Sequence, residues 1–239
     1  GHLAAERLMS IPGSASPLFF QTAAAAAAPA VATKSLRFND SDSAYLSRTP
    51  SSSGNQTTWT WAGWVKRSKL GGSLFQEIFG AQSSGSNYFV LRFTSGDKID
   101  VFDRDSSGAV GRLTTTQVFR DPGAWLHITY VWDSSNSTAA DRRILYVNGV
   151  RVTDFDTEGS VSQNHSSRVN STIQHGIGAV FNEYLSACLA DVFFIDGSAL
   201  SPVDNFIELD SNGVYQAKEY SGTFGTNGFH LLDFANEAT

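Results

Sequence analysis

From residue 35 onward, short apolar runs alternate with clusters of Gly, Ser, Asn and Asp, and no stretch of ten or more residues keeps a helical period. Such runs, rich in Val, Ile, Thr and aromatic residues, are typical of β-strands separated by turns. We predict strands at 35–38, 57–66, 76–80, 88–94, 98–102, 112–119, 125–132, 144–147, 150–152, 189–195 and 229–234. Residues 201–209 have room for at most a short helical turn. The pattern predicts an all-β fold, a two-sheet antiparallel sandwich.

Alternation within the strands predicts which side chains share a face. In strand 57–66, Trp59 and Trp61 lie on one face and Trp64 on the other. The dipeptide Asn148-Gly149 stands between two alternating apolar runs. It predicts a hairpin with a type I′ turn, because both central residues of that turn need a positive φ.

The first 33 residues differ from the rest in composition. They include six consecutive alanines at 23–28 and are rich in Pro and Ala, so they are unable to build a core alone. Their apolar stretch is shorter than the roughly 20 residues of a membrane-spanning helix, and no membrane insertion is expected. Ala30-Val31-Ala32 resembles a signal-peptide cleavage site, but no positive charge follows Met9 before Lys34. We therefore interpret 1–33 as an attachment or oligomerisation segment and 34–239 as the sandwich, closed by 201–239.

Composition excludes several functional classes. The formal net charge of −6 gives no basic footprint for nucleic acid, so no nucleic-acid partner is expected. A single cysteine, Cys188, excludes a disulfide framework and any zinc site built from several cysteines. We expect Cys188 to be a buried small apolar residue.

Five segments, in order, resemble the LamG-like, concanavalin A-like jelly-roll family. They are the opening strand from Ser35 to Leu46, Trp59–Lys66, Trp125–Ile128, Leu145–Gly149 and the closing Leu189–Phe194 followed by Ala199-Leu200-Ser201. Each segment alone is weak, but the five together cover about residues 34–203. The resemblance implies a jelly-roll sandwich with a lectin-like role.

The flanking segments are similar to structural proteins of tailed bacteriophages. Phe194–Leu200, Tyr220–Phe229 and the stretch that begins at Met9 carry this resemblance, which also suggests Met9 as a start and a chain that continues beyond Thr239. It implies a virion appendage protein, of a tail or capsid fibre, that contributes to host-surface or glycan recognition. Residues 1–33 would contact other virion proteins, and a fibre would be a homo-oligomer, usually a trimer. A structural capsid-decoration or spacer module without a ligand is the alternative.

The residues give no support to an enzyme. Glucan-cleaving members of the fold family carry glutamate and aspartate two residues apart on one strand, so that two carboxyl groups face the substrate. No glutamate of this chain is followed by aspartate at that spacing. The histidines lack metal-ligand spacing, and His127 is expected to be structural. We therefore expect no catalytic residues, and a glycan-cleaving enzyme is the weakest of the three readings.

Calcium is the one candidate cofactor, since many sandwich lectins bind it through oxygen ligands. Asp103 and Asp105 offer carboxylates in one turn, and Asp40 and Asp42 do so in the first loop, with Asp191 near the closing strand. Asp also favours ordinary solvated turns, so no metal site is assigned.

A ligand-binding face is predicted on the outward side of strand 88–94. Tyr88, Val90 and Arg92 alternate with the apolar Phe89, Leu91 and Phe93. Tyr88 offers an amphipathic ring, Arg92 a forked donor and the neighbouring Asp100 an acceptor. These three residues are the candidate ligand-binding set.

Overall fold

The computed structural model describes residues 31–72 and 74–231. The predicted attachment segment 1–33 lies outside the described residues except for its last three. Residues 232–234 of the predicted final strand and the end of the closing segment also lie outside them.

Short strands dominate the described part of the chain. In chain order they are β1 Leu36–Phe38, β2 Leu46–Arg48, β3 Thr58–Arg67, β4 Gln76–Ser84, β5 Asn87–Phe93, β6 Ile99–Asp105, β7 Gly108–Thr115, β8 Leu126–Asp133, β9 Arg143–Val147, β10 Val150–Arg151, β11 Phe155–Glu158, β12 Gln174–Ile177, β13 Ala179–Val180, β14 Glu183–Tyr184, β15 Ala187–Asp196, β16 Ile207–Leu209, β17 Tyr215–Ala217 and β18 Phe229–Leu231. Helical structure in this part is limited to α1 Pro202–Asn205 and 3-10 turns at Asp40–Asp42 and Ala139–Asp141. No helix among the described residues has the length and apolar character to cross a membrane.

Two seven-stranded antiparallel sheets form the body. Sheet A has the order β1-β15-β3-β8-β9-β10, and β18 also pairs with β15. Sheet B has the order β11-β7-β6-β5-β4-β12-β2. Two small hairpins, β13–β14 and β16–β17, complete the strand pairings. The predicted all-β antiparallel sandwich is confirmed.

Aromatic rings fill the space between the two sheets. Trp59 and Trp61 of sheet A are fully buried, and the ring centroid of Trp59 lies 5.3 Å from that of Phe89 in sheet B, in an edge-to-face arrangement. Such pairs stabilise the fold beyond the burial of their area. Trp64 points to the opposite face and is half-buried, as the alternation predicted.

The Asn148-Gly149 hairpin is also confirmed. Val147 and Val150 pair across it, and the two turn residues have φ values of 48° and 76°. Both values are positive, as a type I′ turn requires.

The prediction for Cys188 is wrong in one respect, because this side chain is only half-buried. Its neighbours Ala187 and Leu189 point into the core, so alternation along β15 places Cys188 on the outer face of sheet A. The apolar composition of the strand concealed this, since the outer face of β15 is also partly covered.

His127 is buried in the outer layer of sheet A, 1% exposed, with its ring 5.1 Å from that of Trp64. Burial lowers the pKa of His127 to about 3. Since the pKa in the unfolded chain is about 6.5, the unfolded state binds the proton first as the pH falls. We expect the wild type to lose stability relative to His127→Leu by roughly 1.4 kcal/mol per pH unit below pH ~6.5. Urea unfolding at pH 7, 6 and 5 measures this, and parallel pH curves would contradict it.

Candidate functional site

The outer face of sheet B carries the largest collection of polar and aromatic side chains that the core does not use. On β5, Phe89, Leu91 and Phe93 enter the core, whereas Tyr88, Val90 and Arg92 face outward, as predicted. Val90 packs with Phe102 of β6 and with Val180 of β13. The hairpin β13–β14 therefore lies across this face.

The structure brings two of the three predicted ligand residues into direct contact. Arg92 and Asp100 are opposite each other in the β5–β6 register, and Arg92 Nε donates to Asp100 Oδ2 at 3.0 Å. The side chain of Asp100 is fully buried, and the guanidinium of Arg92 lies 3.5 Å above the ring of Phe75. Tyr88 remains half-buried beside them. Arg92 and Asp100 face outward from the core, but covering side chains turn them into an internal ion pair.

This ion pair belongs to a larger buried charge network. Arg92 Nη1 also donates to Glu77 Oε1 at 3.2 Å, and Arg112 binds both carboxylate oxygens of Asp100 at 2.8 and 3.1 Å. Burial raises the pKa of Glu77 well above its usual value, against the opposing charge of Arg92, and the nearby Glu183 raises it further. Because the side chain of Glu77 is fully buried, this carboxyl group has no direct contact surface for a sugar.

A small open pocket adjoins the network on the same face. Gln82 and Gln174 stand directly opposite each other in the β4–β12 register, so their amide side chains share the outer face. The ring of Tyr45 lies 6.3 Å from that of Tyr184. We call this the amide–aromatic pocket; it has a volume of about 240/2, that is ≈ 120 Å³, and its lining includes Tyr45, Gln82, Gln174, Phe181, Asn182 and Tyr184.

The hairpin β13–β14 forms one wall of the amide–aromatic pocket. Its two turn residues, Phe181 and Asn182, have φ values of 53° and 62°. Asn tolerates this left-handed region, whereas Phe adopts it only at a cost. The strained turn presents the ring of Phe181, which packs edge-to-face on Tyr88 at 4.8 Å, and the Phe181 N–H donates to Gln82 Oε1 at 2.7 Å.

Two glycines let the hairpin approach the sheet. A Cβ atom on Gly80 would lie 2.5 Å from both the Phe89 carbonyl oxygen and Val180 Cγ2. A Cβ atom on Gly176 would collide with the Ala179 carbonyl oxygen. Larger residues at these positions would lift the hairpin and open the pocket wall.

Sequence reasoning did not find the residues of the amide–aromatic pocket. They come from separate stretches at 45, 80–82 and 174–184, and short polar strands such as β12 and β14 lack the apolar alternation that marks a strand. The one signal was the pair Phe181-Asn182, since Asn favours a turn with positive φ.

The predicted calcium ligands are engaged with protein groups. Asp40 pairs with Lys69 and accepts from Ser186, and Asp103 accepts the backbone N–H of Arg168 at 2.6 Å. Asp191 contacts Nε2 of His230 at 2.9 Å. Within residues 31–72 and 74–231, no group of three or more His, Cys, Asp or Glu side chains is arranged to hold a metal ion.

Three solved structures illustrate the similarity of the fold. A heptameric SAP-like pentraxin from Limulus polyphemus matches with a TM-score of 0.48 and 16% identity, over 79% of this chain and 89% of that one. Mouse laminin α1 domains LG4-5 match with a TM-score of 0.49 and 11% identity, over 85% of this chain and 48% of that one. The CBM40 of the Ruminococcus gnavus IT-sialidase, bound to α2,3 sialyllactose, matches with a TM-score of 0.43 and 11% identity, over 63% and 90%.

No curated protein sequence matches the chain. The sequence model of the concanavalin A-like lectin/glucanases superfamily, in contrast, matches residues 39–203, which is more than half of the chain. These residues run from the first loop to the end of β15 and into α1, and so include both sheets and the outer face of sheet B. The chain therefore belongs to the concanavalin A-like lectin/glucanases superfamily.

Proposed function

We propose that this protein is a non-catalytic carbohydrate-binding module whose glycan site is the amide–aromatic pocket. The observation that carries the proposal is the position of the Tyr45, Tyr184 and Phe181 rings around the amide groups of Gln82 and Gln174. Aromatic rings cover the apolar faces of a sugar, while amides and phenols donate to and accept from its hydroxyl groups. Ligand sites typically combine these two kinds of group in one concavity.

The pocket chemistry favours a neutral sugar. Among the described residues that line it, none is Asp, Glu, Lys or Arg. Its volume of about 120 Å³ is small beside the roughly 300–1,000 Å³ of drug-binding pockets. We infer that one terminal neutral or N-acetylated sugar unit occupies it, with weak affinity for each site, so that an oligomer would add avidity.

Binding without cleavage fits the carboxylates of this face. Glu77 and Asp100 are enclosed in the charge network with Arg92, and the sequence has no glutamate and aspartate at the spacing that glucan-cleaving relatives use. We propose that the charge network supports the face from beneath, and that Tyr88 contributes through its contact with Phe181.

We further propose that the module serves a tailed-phage virion appendage, with residues 1–33 attaching it to other virion proteins and a trimer if the appendage is a fibre. The support is the sequence resemblance of Phe194–Leu200 and Tyr220–Phe229 to phage structural proteins. Detection of the chain in purified phage particles by mass spectrometry tests this part separately from glycan binding.

A glycan array tests the binding function. We expect the wild type to bind neutral glycans, and Phe181→Asn to weaken binding at least about tenfold, or 1.4 kcal/mol. Asparagine suits the positive φ of this position, so loss of binding would reflect the missing ring and not a broken turn. Trp125→Ala, which removes an equally exposed ring (37% for both) outside this pocket, should bind like the wild type.

A structural spacer without a ligand is the alternative function. It predicts that the folded protein binds no glycan on the array and that Phe181→Asn changes nothing. That result, from a protein with a cooperative unfolding transition, would contradict the carbohydrate-binding proposal.

A further inference from the structure

A second cavity lies between the two sheets, at the sandwich edge opposite the amide–aromatic pocket wall. Sheet B contributes residues of β2, β4 and β12, and sheet A contributes residues of β15 and β18. We call it the edge cavity; it has a volume of about 240 Å³, and its apolar lining includes Leu46, Pro50, Phe79, Ile177, Phe194 and Phe229. An apolar cavity of ~150 Å³ is already large enough to bind benzene.

The depth of the edge cavity distinguishes it from a surface groove. Phe79 and Phe194 belong to the main hydrophobic core and are at most 3% exposed, whereas Leu46 at the rim is 37% exposed. The cavity therefore leads from the surface into the core. Its shape suits an apolar chain that enters from the edge.

The polar groups in the cavity wall are already satisfied. Asn170 Nδ2 donates to Asp196 Oδ1 at 2.6 Å, and Asn227 Nδ2 donates to Asn170 Oδ1 at 2.8 Å. His175 Nε2 accepts the backbone N–H of Asn170 at 2.9 Å, and burial lowers the pKa of His175 to about 4. These groups do not require bound water, and the histidine is neutral at pH 7.

One positive charge remains at the rim. Arg48 is exposed, and its Nη1 donates to the Asn227 carbonyl oxygen at 3.0 Å. No carboxylate within the described ranges forms an ion pair with Arg48. A forked cation beside an apolar cavity matches a molecule with an apolar chain and a carboxylate head.

We propose that the edge cavity binds a medium-chain aliphatic carboxylate, with its chain between the sheets and its carboxylate on Arg48. If a methylene group takes about the ~30 Å³ of a water molecule in the liquid, roughly eight fit. This site is independent of the glycan site, because the edge cavity and the amide–aromatic pocket share no lining residue.

Calorimetry with octanoate on the full-length chain tests the proposal. We expect octanoate to bind, Arg48→Gln to weaken it at least about tenfold, and each methylene removed to weaken it about fourfold. 1-Octanol should bind more weakly than octanoate and should not respond to Arg48→Gln. Arg37→Gln, an exposed arginine on β1 outside the cavity lining, should leave both ligands unaffected.

Three results would overturn the proposal. They are no octanoate binding by the folded full-length chain, equal binding by wild type and Arg48→Gln, or binding only to vesicles of anionic lipid and not to free octanoate. Leu46→Trp, which adds a large ring at the partly exposed rim, provides a second variant: it should block octanoate while urea unfolding confirms that the protein is folded.

Discussion

Replacement of Arg92 by leucine is expected to lower the free energy of unfolding by about 3–5 kcal/mol, because it leaves buried carboxylates without their cation. Arg92 binds Glu77 at 3.2 Å and Asp100 at 3.0 Å, and the side chains of both acids are fully buried. Asp100 would keep Arg112, but in the described part of the chain Glu77 has no other cationic partner. Urea unfolding monitored by fluorescence measures the loss.

The pH dependence of this variant has a definite sign. Burial raises the pKa of Glu77 in the folded protein, and removal of Arg92 would raise it further. A raised folded pKa gives stability at low pH that is lost as the pH rises through that value. The gap between wild type and Arg92→Leu should therefore be larger at pH 8 than at pH 5.

Two further variants serve as controls for this prediction. Arg112→Leu removes a cation of the same network that is 38% exposed, so its effect should be about 1 kcal/mol or less. The double variant Glu77→Leu/Arg92→Leu should recover part of the stability, because an apolar pair replaces the ion pair instead of one uncompensated charge. If the double variant is less stable than Arg92→Leu alone, an unpaired Glu77 is not the cause.

Replacement of Asp196 by alanine is the second large expected effect, about 3 kcal/mol or more. Asp196 is buried at the end of β15 and holds three loops. Its Oδ1 accepts the backbone N–H of Asn55 at 2.8 Å and Nδ2 of Asn170 at 2.6 Å, and its Oδ2 accepts the backbone N–H of Asn227 at 3.1 Å. Alanine would leave these donors buried and unsatisfied.

The same contacts give a role to the closing motif at 224–228. Gly225 passes so close to the Asp196 backbone that a side chain there would collide, and the Asp196 N–H donates to the Phe224 carbonyl oxygen at 2.9 Å. Urea unfolding and limited proteolysis after residue 197 should both show the loosening caused by Asp196→Ala. Asp210→Ala, in an exposed turn, should change neither, and equal behaviour of the two variants would contradict a special role for Asp196.

The long strands were predictable because each alternates between a core face and an outer face over at least four residues. β3 with its three tryptophans and β5 with Phe89, Leu91 and Phe93 are examples. Strand β2 is exposed at every position and was missed, as were the two-residue strands of the β13–β14 hairpin. Such strands exist because neighbouring chain segments offer hydrogen-bonding partners, which the local sequence does not record.

The sequence by itself therefore determined the two-sheet sandwich, the faces of its long strands and the absence of the spacing that glucan-cleaving enzymes use. It also placed Tyr88, Arg92 and Asp100 on one outer face. Only the tertiary structure decided that Phe75 covers Arg92, and that distant Tyr45, Gln174 and Phe181 converge on one pocket. Alternation is a local property of the backbone, whereas covering and convergence depend on which distant segments pack together.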